Sequence, residues 1–213
     1  MAKQISIPFQ FTGRYFIEGD LNSTTKHVLM VFHGQGQLAE YFVRKFESLK
    51  EKEYCIIAPE GLHHYYVEGF SGRVGASWMT KENRLVSIAN YLNFLDSVYK
   101  SILEQAGKDI RLHVLGFSQG TATVSRWIAS SSFPFKQLIL WGGALPPDLD
   151  KEAIKERMEG KSLTHVVGDD DPYINSHRLG EMKTLVNEYA LSSHFLHYKG
   201  GHDIDKEVLL NLM

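Results

Sequence analysis

The sequence has little of what marks secreted, membrane-spanning or nucleic-acid-binding proteins. Its 213 residues include a single cysteine, Cys55, so no internal disulfide can form, which is typical of a reducing compartment. The 23 Lys and Arg side chains nearly balance the 25 Asp and Glu side chains, which leaves no basic excess to bind nucleic acid. Apolar runs stay well short of the roughly 20 residues that span a membrane. We therefore expect a cytoplasmic protein with no membrane span and no nucleic-acid partner.

The composition also gives no sign of a linker or a second domain. Hydrophobic residues make up 43% of the chain and charged residues 23%, which is close to the average for soluble globular proteins. No Pro- or Gly-rich stretch divides the sequence, and its length is enough to bury one full core. We therefore predict that residues 1–213 form one domain. Cys55 lies in an apolar run, which predicts a buried and unreactive thiol.

The N-terminal residues lack the basic start, the apolar core and the small-residue cleavage site of a secretion signal. Instead, Ile5, Ile7, Phe9 and Phe11 alternate along the chain, as the residues of a strand do. A turn at residues 12–14 separates this run from a second short apolar run at residues 15–17. The pattern predicts an antiparallel pair of edge strands at the start of the chain.

Beyond this opening, apolar runs typical of strands alternate with segments of helical spacing. The predicted strands are His27–Phe32, Tyr54–Ala58, Arg111–Leu115, Phe135–Trp141, Leu163–Val167 and His194–Tyr198. The longest predicted helix covers residues 83–105, where apolar residues recur every three or four positions. Such alternation is typical of βαβ units. We therefore predict an α/β fold with a mostly parallel sheet, helices on both faces and no separate lid domain.

The motif Gly116-Phe117-Ser118-Gln119-Gly120 lies where a predicted strand passes into a helix. A G-x-S-x-G sequence in that position is typical of a nucleophile elbow, whose sharp turn lifts the serine clear of the sheet. The alternative is a glycine-rich turn in which Ser118 only caps the helix. The apolar flanks on both sides favour the nucleophile.

Other reactive side chains follow further strands and converge at one edge of a parallel sheet. A serine needs a base, and the base needs a carboxylate to orient it. Asp169, Asp170 and Asp171 follow one strand and His202 follows the last, which gives the chain order Ser, Asp, His. His33 also follows a strand, but its two neighbouring glycines favour a role in bracing a loop. The pairs His63/His64 and His194/His197 have no further ligands at the spacing of a metal site.

Together these motifs resemble the α/β-hydrolase superfamily, and within it the phospholipase/carboxylesterase family that includes acyl-protein thioesterases. The resemblance covers residues 27–203 and rests on His33-Gly34-Gln35-Gly36, Ser77-Trp78, residues 116–120, Leu145-Pro146, residues 168–172 and Gly201-His202.

The resemblance implies an α/β-hydrolase fold and assigns one role to each of five residues. Ser118 is the nucleophile, His202 the base and Asp171 the acid, because Asp171 directly precedes the proline of its motif. The backbone N–H groups of Gln35 and Gln119 form the oxyanion hole. The activity implied is hydrolysis of small-molecule carboxylic esters or thioesters through an acyl-enzyme, with no metal and no other cofactor.

The segment from residue 60 to residue 80 has no clean period but is rich in aromatic residues. We predict that Trp78, Tyr65, Tyr66 and Phe70 line an open, shallow acyl pocket, which would favour short to medium acyl chains. The alternative for each of them is a place in the core. The sequence leaves two other functions open: a peptidase, and a catalytically silent member of this fold that acts as a ligand receptor.

Overall fold

The computed structural model describes residues 2–213, which build a sheet of seven strands and a separate two-stranded hairpin. The strands are β1 Tyr15–Glu18, β2 His27–Phe32, β3 Tyr54–Pro59, β4 His63–Tyr66, β5 Val74–Ser77, β6 Arg111–Phe117, β7 Gln137–Trp141, β8 Ser162–Gly168 and β9 His194–Tyr198. Their order in the large sheet is β1-β3-β2-β6-β7-β8-β9, and only β1 runs antiparallel to its neighbour. Strands β4 and β5 pair with each other, and Ala76 of β5 also forms an isolated bridge to Gln37.

Helices cover both faces of this sheet. They are α1 Ala39–Phe42, which continues as a 3-10 helix over Val43–Lys52, α2 Arg84–Ala106, α3 Gln119–Ser130, α4 Lys151–Met158, α5 Ser176–Glu188 and α6 Lys206–Leu212. Side chains of β2 alternate between two buried clusters, with Met30 facing helices α2 and α3 and Val31 facing α1 and α6. A strand buried on both faces needs apolar residues at every position, and the sequence of β2 supplies them. This architecture confirms the predicted α/β class.

The predicted first strand is wrong. Residues 4–14 form no strand, and the side chains of Ile5, Ile7, Phe9 and Phe11 are between 57% and 80% exposed. Pro8 has no N–H group to offer a ladder in the middle of this run. Strand β1 pairs instead with β3, where Tyr15 lies opposite Pro59. Alternation alone therefore did not specify a partner for the N-terminal residues.

The parallel order brings the C-terminal ends of β2, β6, β7, β8 and β9 to one edge of the sheet. The segments that follow these ends carry the motif residues identified in the sequence. Within residues 2–213, no helix combines the length and the apolarity needed to cross a membrane.

Candidate active site

Ser118 lies in a strained turn between β6 and α3. Its backbone has φ +53° and ψ −117°, a combination that L-residues rarely adopt and that costs on the order of 1–3 kcal/mol. Glycines permit this turn: a Cβ on Gly116 would lie 2.5 Å from the carbonyl oxygen of Gly120, and one on Gly120 would overlap the carbonyl oxygen of Phe32. The N–H of Ser118 donates to the carbonyl of Trp141 over 2.9 Å, which fixes the turn to β7. The structure thus holds the serine in the geometry of a nucleophile elbow.

Asp171 and His202 form a hydrogen-bonded pair at the ends of β8 and β9. His202 Nδ1 lies 2.6 Å from Asp171 Oδ2, and the Asp171 side chain is only 1% exposed. Because a carboxylate only accepts hydrogen bonds, the proton is assigned to Nδ1, and Nε2 is left able to accept a proton. Asp171 Oδ1 accepts the N–H of Tyr173 over 2.8 Å. By contrast, Asp169 and Asp170 are exposed.

The His202 ring lies beside the serine turn. It packs against the ring of Phe117, with 4.7 Å between ring centroids. A Cβ on Gly142 would lie 3.0 Å from His202 Cε1 and 3.5 Å from Asp171 Oδ2, so Gly142 lies close to both members of the pair. Within residues 2–213, the His202 side chain hydrogen-bonds only to Asp171. Bonds between a base and its nucleophile commonly tighten only in the substrate complex.

The loop Gly34–Gln37 also lies next to Ser118. A Cβ on Gly34 would be 3.1 Å from Ser118 Cβ, and the N–H of Gly34 donates to Gln37 Oε1 over 2.8 Å. The N–H of Gly36 donates to the carbonyl of Ala76 in β5, and the N–H of Ala76 donates back to the carbonyl of Gln37. These bonds fix the loop to the hairpin. Across the described part of the chain, no carbonyl or side chain accepts a hydrogen bond from the N–H groups of Gln35 and Gln119.

The His33 ring holds this loop through hydrogen bonds. Its Nε2 accepts the N–H of Gly61 over 2.9 Å, so Nδ1 carries the proton and donates to the carbonyl of Gly34 over 2.7 Å. Burial lowers the pKa of His33 to about 4, so the ring is neutral at physiological pH. The neutral and fully bonded ring fits the bracing role that its neighbouring glycines indicated.

The prediction that Trp78 lines a pocket is wrong. The indole is fully buried, stacks on the ring of His33 with 5.0 Å between centroids, and donates its N–H to the carbonyl of His33 over 2.9 Å. A buried indole needs a partner for its N–H, and the end of β2 supplies it. Trp78 therefore supports the loop Gly34–Gln37 from the core side.

The side chain of Gln119 connects the serine turn to the end of β5, a role that sequence analysis missed. Its Oε1 accepts the N–H of Trp78 over 3.0 Å, and its Nε2 donates to the carbonyl of Met79 over 2.9 Å and to Ser77 Oγ over 3.1 Å. One amide side chain thus satisfies two backbone groups of the facing segment. The Ser77-Trp78 motif was the only signal in the sequence that this segment belongs to the site.

Glu60 is a second residue that sequence analysis missed. Its side chain is buried, and its carboxylate accepts bonds from Arg14 Nε at 2.6 Å, His64 Nε2 at 2.8 Å and the N–H of Ala39 at 2.9 Å. Burial by itself would raise the pKa of Glu60, but the bonds from His64, Arg14 and Ala39 hold the pKa below its usual value. The ionised carboxylate therefore anchors the first residue of α1, which directly follows the loop Gly34–Gln37.

The three remaining aromatic residues of the predicted pocket belong to the hairpin and are exposed to different degrees. Tyr65 lies next to the loop Gly34–Gln37, where a Cβ on Gly36 would be 3.3 Å from its hydroxyl. Tyr66 is exposed on the same strand, and Phe70, at the hairpin tip, is 97% exposed. Tyr65 is thus the aromatic residue whose position fits a substrate contact most directly.

Two further histidines pair with carboxylates, and the cysteine is buried. His64 bonds Glu60 and His197 Nδ1 lies 3.3 Å from Asp169 Oδ1. No three His, Cys, Asp or Glu side chains among residues 2–213 are grouped as a metal site requires. Cys55 is buried, as predicted, and burial raises the pKa of its thiol to about 11, which keeps it protonated.

Solved structures with the same fold include enzymes that act on esters or thioesters. The acyl-protein thioesterase 2 of Zea mays matches with a TM-score of 0.64 and 19% identity, over 94% of this chain and 96% of that one. The carboxylesterase of Bacillus cereus matches with a TM-score of 0.63 and 15% identity, over 94% and 91%. A phospholipase/carboxylesterase of Dyadobacter fermentans matches with a TM-score of 0.57 and 17% identity, over 97% and 98%. All three are α/β-hydrolase types, which confirms the fold that the motifs implied.

The sequence comparisons identify the family. Among curated protein sequences, none matches the chain significantly. The family model described as "Serine hydrolase (FSH1)" matches residues 22–207, a range that includes the serine turn, the Asp171–His202 pair and the loop Gly34–Gln37. The chain therefore belongs to the serine hydrolase (FSH1) family.

Proposed function

We propose that the protein hydrolyses carboxylic esters or thioesters of short to medium acyl chains, with Ser118 as nucleophile, His202 as general base and Asp171 as the acid that orients it. One observation carries the proposal: the 2.6 Å bond between a buried Asp171 and His202, at the edge where Ser118 is held in a left-handed turn. A family of serine hydrolases needs such a base, because a serine hydroxyl is a poor nucleophile without one.

The reaction begins when Ser118 Oγ attacks the acyl carbon and its proton passes to His202 Nε2. The carbonyl oxygen becomes an oxyanion that accepts hydrogen bonds from the N–H groups of Gln35 and Gln119. Each such donor contributes roughly 10²- to 10³-fold to the rate. Gln119 directly follows Ser118, and Gln35 follows Gly34, which lies next to Ser118. Within residues 2–213 neither N–H has a protein acceptor, so neither group need give up another bond to act.

The tetrahedral intermediate collapses when the carbon–oxygen or carbon–sulfur bond breaks and His202 Nε2–H protonates the leaving atom. Water then attacks the acyl-enzyme, gives its proton to Nε2, and the acid leaves as the proton returns to Ser118 Oγ. Asp171 accepts the Nδ1–H bond throughout and stabilises the imidazolium. Tyr173 N–H and His202 together occupy both oxygens of that carboxylate, which holds it in one orientation.

Support for short to medium acyl chains comes from the surface around Ser118. The large aromatic residue of the segment, Trp78, is in the core, and Phe70 projects from the hairpin tip. Among the three aromatic residues of the hairpin, Tyr65 has its hydroxyl beside Gly36, in the loop that would hold the acyl oxygen. Ethyl esters of acetate, butyrate, octanoate and palmitate test this: kcat/KM should peak at butyrate or octanoate and fall for palmitate. A rise that continues to palmitate would contradict the chain-length proposal.

Two variants and one label test the catalytic assignment. Ser118→Ala should abolish ester hydrolysis and labelling by a fluorophosphonate, with losses of roughly 10⁴- to 10⁶-fold in kcat. Asp171→Asn should cause a severe loss of activity. Asp170→Asn, which changes the exposed residue next to it, should retain near-normal activity. Severe loss in Asp170→Asn with little effect of Asp171→Asn would show that the acid is misassigned. No labelling of the folded wild type would favour a silent receptor over an enzyme.

A further inference from the structure

Tyr173 presents an unusual combination of exposure and fixed position beside His202. The residue is 71% exposed, yet the centroid of its ring lies 4.7 Å from that of His202 with an interplanar angle of 69°. The Tyr173 N–H is bonded to Asp171 Oδ1, and the N–H of Ile174 donates to the carbonyl of Asp171 over 3.2 Å. The protein thus holds a large aromatic side chain at the rim of the catalytic pair without burying it.

The imidazole also packs against Phe117, which is buried. His202 therefore contacts one aromatic residue that belongs to the core and one that remains available to a ligand. Core packing accounts for Phe117. It does not account for Tyr173, whose apolar surface is still mostly in contact with water.

The chemistry of ester cleavage determines which part of the substrate meets Tyr173. The leaving atom must accept a proton from His202 Nε2, so the leaving group lies within hydrogen-bonding distance of the imidazole. The acyl oxygen must instead reach the N–H groups of Gln35, in the loop Gly34–Gln37, and of Gln119, at the start of α3. A group bonded to the leaving atom is then placed against the Tyr173 ring, and the acyl chain is not.

We propose that Tyr173 is a specificity-determining residue that binds the leaving group, and that it favours esters of aromatic alcohols over esters of small aliphatic alcohols with the same acyl group. This inference rests on the proposed function of the Ser118 site. Offset or edge-to-face contact with an aromatic ring strengthens binding beyond simple burial, by an amount that corresponds to roughly 2- to 10-fold in kcat/KM.

The test compares benzyl acetate, cyclohexylmethyl acetate and ethyl acetate as substrates of the wild type, Tyr173→Ala and Tyr173→Phe. The intrinsic reactivity of each ester cancels in the ratio of variant to wild type. Tyr173→Ala should lower kcat/KM for benzyl acetate by roughly 2- to 10-fold more than for ethyl acetate, with cyclohexylmethyl acetate between them. Tyr173→Phe should restore the preference. Phe9→Ala, which removes an exposed aromatic ring from the N-terminal segment, should leave all three ratios near one.

A second measurement separates leaving-group binding from mere support of His202. All three esters form the same acetyl-enzyme, so the rate of deacylation in a single turnover should be unchanged in Tyr173→Ala. Slower deacylation, or an equal loss for all three esters, would overturn the inference and show that Tyr173 positions His202.

The failure of this inference is distinguishable from failure of the proposed function. A wild type that hydrolyses the esters, with a Tyr173→Ala variant that keeps the benzyl preference, would overturn only the role of Tyr173. A wild type that hydrolyses none of the esters, or a Ser118→Ala variant that remains active, would overturn both.

Discussion

Replacement of Gly142 by alanine tests how closely the end of β7 constrains the catalytic pair. Gly142 has φ +61°, and a Cβ built on it would lie 3.0 Å from His202 Cε1 and 3.1 Å from His202 Nδ1. Ordinary contacts between such atoms are about 3.5–4.0 Å. The imidazole of Gly142→Ala must therefore move by about half an ångström or more, away from the new methyl group.

The expected size of the effect follows from that displacement. A misplacement of about 1 Å in a catalytic group costs on the order of 10²-fold in rate. The left-handed backbone adds a separate cost of about 1–2 kcal/mol in stability, because an L-residue is strained there. We therefore expect Gly142→Ala to fold with somewhat reduced stability and to lose about 10²-fold in kcat.

The control is Gly160→Ala, in the turn before β8. Gly160 has φ +67°, almost the same as Gly142, but a Cβ there meets no atom within 4 Å. Urea denaturation should show similar losses of stability in the two variants, while kcat for ethyl butyrate should fall only in Gly142→Ala. Equal activity in the two variants would refute the argument that the backbone of Gly142 positions His202.

Two further predictions concern stability. Trp78→Ala should lower the free energy of unfolding, measured with urea, by about 3–5 kcal/mol. Because the buried indole supports the site from the core, this variant should also lower kcat/KM for all acyl lengths alike. The control variant Phe70→Ala, which changes an exposed side chain, should alter the free energy of unfolding by less than about 0.5 kcal/mol. Selective loss on long acyl chains in Trp78→Ala would restore the pocket interpretation. Burial lowers the pKa of His33 and of His165 to about 4. The unfolded chain therefore binds protons that the folded chain does not, and the free energy of unfolding should fall as the pH drops from about 6.5 towards 4, by about 1.4 kcal/mol per pH unit for each ring. His165→Gln should reduce the dependence of the free energy of unfolding on pH, measured by urea titrations at pH 7, 6 and 5. An unchanged dependence would show that His165 does not contribute to it.

The parallel sheet could be predicted because its strands are buried on both faces. A run such as His27–Phe32 has to be almost continuously apolar, and that requirement is visible in the sequence. The N-terminal alternation of Ile5 to Phe11 looks equally regular, but an amphipathic pattern does not specify which neighbour, if any, it pairs with. The partner depends on backbone geometry that residues far along the chain determine.

Within the candidate site, the positions of the residues that directly follow strands could be predicted from the sequence. The contacts between loops could not. That Ser118, His202 and the aspartates of residues 169–171 would come together could be predicted, because parallel strands end at one edge. The residues alone could not separate Asp171 from Asp169 and Asp170, whereas burial and the bond to His202 do. The direction in which Trp78 points was also hidden, because its segment has no period and its partner is a carbonyl 45 positions away.

The hairpin β4–β5 is fastened at its base and unsupported at its tip. Bonds from Gly36 and Ala76 hold the base against the loop Gly34–Gln37, and Gln119 holds the segment after β5. At the tip, a Cβ on Gly69 or Gly72 would meet nothing within 4 Å. Chain length and side chains between these two glycines can therefore be exchanged without any change in the N–H groups beside Ser118. The tip is therefore the part of the hairpin where we expect new recognition sequences to be grafted with the least effect on its base.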